Sequence, residues 1–77
     1  MDKQRALELI SAEFDRATAK FGSFNSAHEG YAILLEEVDE LWDYIKKNHI
    51  ANSLDEAVQV GAMALRYLID IGKNSDG

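Results

Sequence analysis

SAHEGYAILLEEVDELWDYIKKN, residues 26–48, reads as one long amphipathic helix around which the rest of the chain is arranged. Tyr31, Leu34, Leu35, Val38, Leu41, Trp42 and Ile45 recur at three- and four-residue spacing and so share a face. That face is expected to pack in the core, Trp42 with it, the indole N–H finding a partner there. Glu29, Glu36, Glu37, Glu40 and Asp43 fall on roughly the opposite side at about 100° per residue. Ser26 and Glu29 have the S-x-x-E spacing of a capping box. No Lys or Arg stands between 29 and 43. Like-charged pairs such as Glu36–Glu40 and Asp39–Asp43 each cost a helix about 0.2–0.5 kcal/mol, and Lys46 and Lys47 can answer only Asp43. Two explanations fit: a solvated acidic face, or a divalent cation such as Mg²⁺ or Mn²⁺ held by hard oxygen ligands.

On the N-terminal side, Leu7, Ile10, Phe14, Ala17 and Phe21 form a narrow apolar seam on a first helix, which Gly22 ends. Phe21 and Phe24, in the short connection, are expected to pack at the entry to the second helix. Gly30, one turn into that helix, points to a close approach by a neighbour. On the C-terminal side, 48–52 is a tight connection, which makes the flanking helices antiparallel neighbours. Ser53-Leu54-Asp55-Glu56 repeats the S-x-x-E spacing, so a third helix is expected to open at Ser53, with Glu56 reaching back to cap it.

The third helix, to about Ile71, is apolar over more than half its circumference. Asp55, Gln59, Arg66 and Asp70 form one polar stripe, with Arg66 and Asp70 spaced as an i,i+4 ion pair. Two short helices cannot cover so apolar a surface, which implies a second protomer. Residues 72–77 read as a polar tail.

The chain is thus expected to be a single all-α domain over residues 1–77, with helices at about 1–21, 26–48 and 53–71, associating into a helical-bundle homodimer or dimer of dimers. Its 77 residues can support only a small core, and with no Cys there is neither a disulfide nor a thiolate metal site. Hydrophobic content of 47% with 29% charged residues is that of a globular chain. No apolar run is long enough to span a membrane, and the first twenty residues do not read as a signal peptide, so a cytoplasmic protein is expected. A net charge of −6 argues against binding a nucleic-acid polymer, though not against a nucleotide held through metal ions.

Antiparallel packing would let Glu36, Glu37 and Glu40 face Glu56 and Gln59, an all-oxygen set of the kind bundles use for Mg²⁺ or Mn²⁺. Glu36-Glu37-Val38-Asp39-Glu40, followed after a short hairpin by Glu56-Ala57-Val58-Gln59, resembles the paired E-E-x-x-E and E-x-x-D motifs of the MazG-like all-α nucleoside triphosphate pyrophosphohydrolases. The likeness covers roughly residues 26–71. It implies metal ligation by Glu37, Glu40, Glu56 and the Gln59 position, and a water-orienting or ligand role for Glu36. It also implies a helical homo-oligomer, and hydrolysis of a nucleoside triphosphate to a monophosphate and pyrophosphate. Lys20, Lys46, Lys47 or Arg66 would counter phosphate charge, Lys47 and Arg66 being the substrate-contact candidates. The family's last acid is Gln59 here, whose carbonyl can ligate but adds no charge. The alternatives are a non-catalytic interaction module of the same fold, or a protein that holds a nucleotide or metal without turnover.

Overall fold

The computed structural model describes residues 1–73, so the tail reading for residues 74–77 lies outside the described residues. Three helices follow in order: α1 Lys3–Phe21, α2 Ala27–Lys46 and α3 Ile50–Gly72. α3 is central, with α2 packed on one side and α1 on another; α1 and α2 do not pack together. Among the described residues no helix is long and apolar enough to cross a membrane.

The helix ends follow local chemistry. Asp2 caps α1 by accepting the Arg5 N–H at 2.8 Å. Gly22 closes α1 at φ 73°, a left-handed conformation that suits glycine. Ser26 caps α2 by accepting the Glu29 N–H at 3.1 Å. The reciprocal half of that box is shifted by one residue: Glu29 accepts from the Asn25 N–H at 3.0 Å, not from Ser26. That bond holds the Glu29 carboxyl below the usual carboxylate range.

The third helix starts earlier than its S-x-x-E spacing implies. The hairpin is only Lys47-Asn48-His49, turned by Asn48 at φ 59°, a region that Asn tolerates better than most residues. α3 therefore begins at Ile50, and Ser53 lies inside it, buried. The Ser53 N–H donates to the His49 carbonyl at 3.0 Å, and its hydroxyl donates to the Ile50 carbonyl at 2.6 Å. Ser53 is not a cap, and Glu56 has no capping partner there.

The buried core is small: Ala17, Phe24, Ala62 and Met63, with Ile10, Phe14, Ile33, Leu34, Tyr67 and Ile71 partly buried against it. Phe24 packs as its sequence position suggests, whereas Phe21 is exposed and carries Lys20 over its ring. At Gly30 the Tyr67 ring of α3 packs close against α2: a Cβ there would lie 2.8 Å from Tyr67 Cδ2 and 3.1 Å from Phe24 Cδ2. Gly30→Ala is expected to destabilise the fold by about 1–3 kcal/mol through overpacking, outweighing the roughly 0.5–1 kcal/mol of helix propensity it adds. A urea unfolding midpoint measures the balance.

α2 departs from the expected packing. The side it turns inward carries Gly30, Ile33, Leu34, Glu37, Leu41 and Tyr44, all buried or half-buried. Tyr31, Leu35, Val38, Trp42 and Ile45, about a quarter-turn further round, are exposed, Trp42 by 57%. Trp42 is therefore not a core residue of the protomer. The helix has three sectors, and the neighbouring α3 covers the one that includes Glu37. On α3, Ile50, Leu54, Leu68 and Ile69 are likewise exposed.

Candidate metal centre

The inward turn of α2 puts Glu37 against α3. The early start of α3 places Glu56 well inside that helix, opposite Glu37 and Glu40. One carboxylate oxygen from each of Glu37, Glu40 and Glu56 lies within 4.8 Å of the others. Oxygens that share a Mg²⁺ at about 2.0–2.1 Å sit roughly 3–4 Å apart, so the three could hold a metal ion with little rearrangement.

Their burial is graded: Glu40 is exposed, Glu37 half-buried, and Glu56 only 6% exposed. Glu37 Oε2 and Glu56 Oε2 are buried without a hydrogen-bond partner. A buried carboxylate facing two others is costly to ionise. Burial first, and then the neighbouring Glu37 and Glu40, push the Glu56 pKa up to about 8. Among the described residues no lysine or arginine forms an ion pair with any of the three. A dication is the chemistry this arrangement suits: it would supply the missing charge and occupy the unpartnered oxygens.

The other candidate residues surround this cluster. Glu36 is exposed, and Glu36, Glu37 and Gln59 all line a cavity of about 420 Å³ between the helices. Glu36 is not among the three converging carboxylates. Lys47 lies in a second, more polar recess with Glu40, Asp43, Tyr44 and His49 at the hairpin, while Lys46 pairs with Asp43 at 3.1 Å. The cluster thus lies between two recesses, sharing Glu37 with one and Glu40 with the other.

Arg66 is the largest departure from the sequence reading. It is 3% exposed, not part of a solvated stripe. It does not pair with Asp70, whose carboxylate accepts the Phe24 N–H at 2.9 Å. Its guanidinium lies 4.3 Å from the centre of the Phe24 ring and donates to the Gly22 carbonyl and the Met63 sulfur. Helical spacing identified Asp70 as a partner on the same helix. The competing acceptor lies 44 residues away in sequence, which no local pattern reveals.

Compared with protein-family models, curated proteins and solved structures, the chain matches none.

Proposed function

We propose that this chain is a metal-dependent nucleotide pyrophosphohydrolase of the MazG-like kind, converting a nucleoside triphosphate to a monophosphate and pyrophosphate. The supporting observation is the meeting of Glu37, Glu40 and Glu56 from two helices, with Glu56 buried and one of its oxygens unpartnered. Mg²⁺ or Mn²⁺ suits an all-carboxylate set, and Gln59, on the adjoining cavity wall, can add a neutral carbonyl oxygen. A bound dication would polarise the phosphates and lower the pKa of an attacking water. Glu36, exposed on the same cavity rim, is the residue assigned to orient that water. Lys47, in the recess beyond Glu40, is the residue assigned to meet a departing pyrophosphate.

Self-association belongs to the same reading. The exposed row Tyr31, Leu35, Val38, Trp42 and Ile45 on α2, beside so small a core, supports a homodimer or dimer of dimers.

The neutral Gln59 favours one alternative, a protein that holds metal and nucleotide without turnover. A panel of triphosphates with Mg²⁺ or Mn²⁺ separates the two. The enzyme reading expects pyrophosphate release that Glu40→Gln abolishes. The binding reading expects a metal-dependent rise in melting temperature with no pyrophosphate. If neither appears, both are wrong and an interaction module of the same fold remains.

A further inference from the structure

Two cations line the cavity of about 420 Å³ that shares Glu37 with the carboxylate cluster: Arg16 on α1 and Arg66 on α3. Arg66 is engaged inside the fold. It is buried, it donates to the Gly22 carbonyl and the Met63 sulfur, and the Phe24 ring lies against it. Arg16 is not. Its side chain is 56% exposed. Its Nε–H and an Nη2–H donate to the two carboxylate oxygens of Glu13, three residues earlier on α1, with Nε 2.9 Å from Oε1. A forked pair of this kind fixes the plane of the guanidinium. It uses two of the five N–H donors, and those on Nη1 make no hydrogen bond among the described residues.

The other charge on the cavity walls is negative: Glu13, Glu29, Glu36 and Glu37. Arg16 answers Glu13, and Asn25 donates to both oxygens of Glu29. Glu36 and Glu37 form no ion pair among the described residues. They would repel a free anion. An anion carried on a dication is different. An ion held by Glu37, Glu40 and Glu56 offsets that charge, and Mg²⁺ on carboxylates is usually completed by phosphate oxygens. The buried, unpartnered Oε2 of Glu56 is an independent sign that the cluster takes an ion. A phosphate chain leaving that ion on its Glu37 side enters a cavity whose one exposed cation is Arg16.

We infer that Arg16 is a phosphate-contacting residue of this site. The free Nη1 edge meets phosphate oxygens on the Glu37 side of the ion, and Glu13 holds the guanidinium in place. The inference rests on the nucleotide reading above and gives α1 a part in the site, which the carboxylates of α2 and α3 alone do not. Lys47, in the recess beyond Glu40, serves the other end of the chain. The contact forms only when the dication is bound.

Inorganic tripolyphosphate with Mg²⁺ is the probe, because it has the phosphate chain and no base. Calorimetry is expected to show Mg²⁺-dependent binding to the wild type. Arg16→Ala is expected to weaken it about tenfold or more, as for the loss of a charge-assisted contact, without weakening the binding of Mg²⁺ alone. Phenylglyoxal labelling of the wild type, read by mass spectrometry, needs no variant. Mg²⁺ with tripolyphosphate should protect Arg16 and leave Arg5 unprotected, Arg5 being exposed on the same helix and paired with Glu8. That measurement decides alone should Arg16→Ala fail to fold, as judged by its circular dichroism melt. Undiminished binding by a folded variant, or labelling of Arg16 that tripolyphosphate does not slow, overturns the inference. If the wild type still releases pyrophosphate from triphosphates in that case, only the role of Arg16 is wrong. If it neither binds the probe nor releases pyrophosphate, the nucleotide reading falls with it.

Discussion

Glu56→Gln is expected to raise the melting temperature of the metal-free protein at pH 8 and to abolish its stabilisation by Mn²⁺. The first effect follows from where the Glu56 proton resides. Its carboxyl titrates near pH 8 in the fold, because it is buried and faces Glu37 and Glu40, whereas an unfolded glutamate titrates near pH 4.3. Below about pH 4 both states hold the proton and the residue adds no pH dependence. Between roughly pH 4 and 8 the unfolded state has lost the proton and the folded state keeps it, so stability falls as pH rises. Above about pH 8 the full penalty stands. At 1.36 kcal/mol per pKa unit that penalty is on the order of 3–5 kcal/mol as an upper bound.

Gln keeps the shape of the protonated acid and cannot ionise. The gain is expected to be near zero at pH 4 and largest at pH 8. In a chain of this length about 1 kcal/mol corresponds to roughly 4–8 °C, so a rise of about 10 °C or more is expected. The second effect has the opposite sense: with Mn²⁺ present, the wild type gains what the variant cannot, because the buried anionic ligand is gone. Thermal melts at pH 4, 6 and 8, with and without Mn²⁺, measure both. A variant that keeps its full metal response would place the ion elsewhere.

Trp42→Glu is expected to dissociate the proposed homo-oligomer. Trp42 is more than half exposed and is flanked on its sector of α2 by Leu35, Val38 and Ile45. Burying the exposed part of an indole, about 100 Å² or more, contributes roughly 2–3 kcal/mol at about 25 cal/mol per Å². In a two-fold interface each change counts twice, and a carboxylate at that position would also be desolvated. A rise of at least about 100-fold in the dissociation constant is therefore expected. Sedimentation equilibrium over a micromolar concentration series reads it directly. The carboxylate cluster lies on the α3-facing side of α2, so metal binding per chain should survive if the protomer folds alone. A wild-type chain that stays monomeric throughout that series would remove this face as a site of self-association.

The successes and errors of the sequence reading have physical causes. The helical content was legible because apolar spacing and the end signals at Gly22 and Ser26 agree with one another. Glu36, Glu37, Glu40, Glu56 and Gln59 were legible as facing residues because a short hairpin leaves α2 and α3 little choice but to lie side by side; that Glu37, Glu40 and Glu56 are the three that converge was decided by the fold. Ser53 misled because S-x-x-E is a local pattern. The turn at Asn48 had already started the helix a turn earlier, and Ser53 lost its orphan amide to the His49 carbonyl. Trp42 misled because α2 has more apolar surface than one neighbour can cover, and periodicity does not say which part is covered.

The order and helical character of the three segments, and the acidic residues available to face one another across the hairpin, were determined by the sequence alone. They depend on spacing of a few residues, which the chain carries wherever it lies. The tertiary structure decided which sector of α2 turns inward, and with it that Glu56 is buried facing Glu37 while Trp42 stays outside. It also took Arg66 from an expected surface pair into a cavity beside Phe24 and Gly22. Those outcomes depend on contacts between residues far apart in the chain, where packing against α3 outweighs the preferences of any single helix.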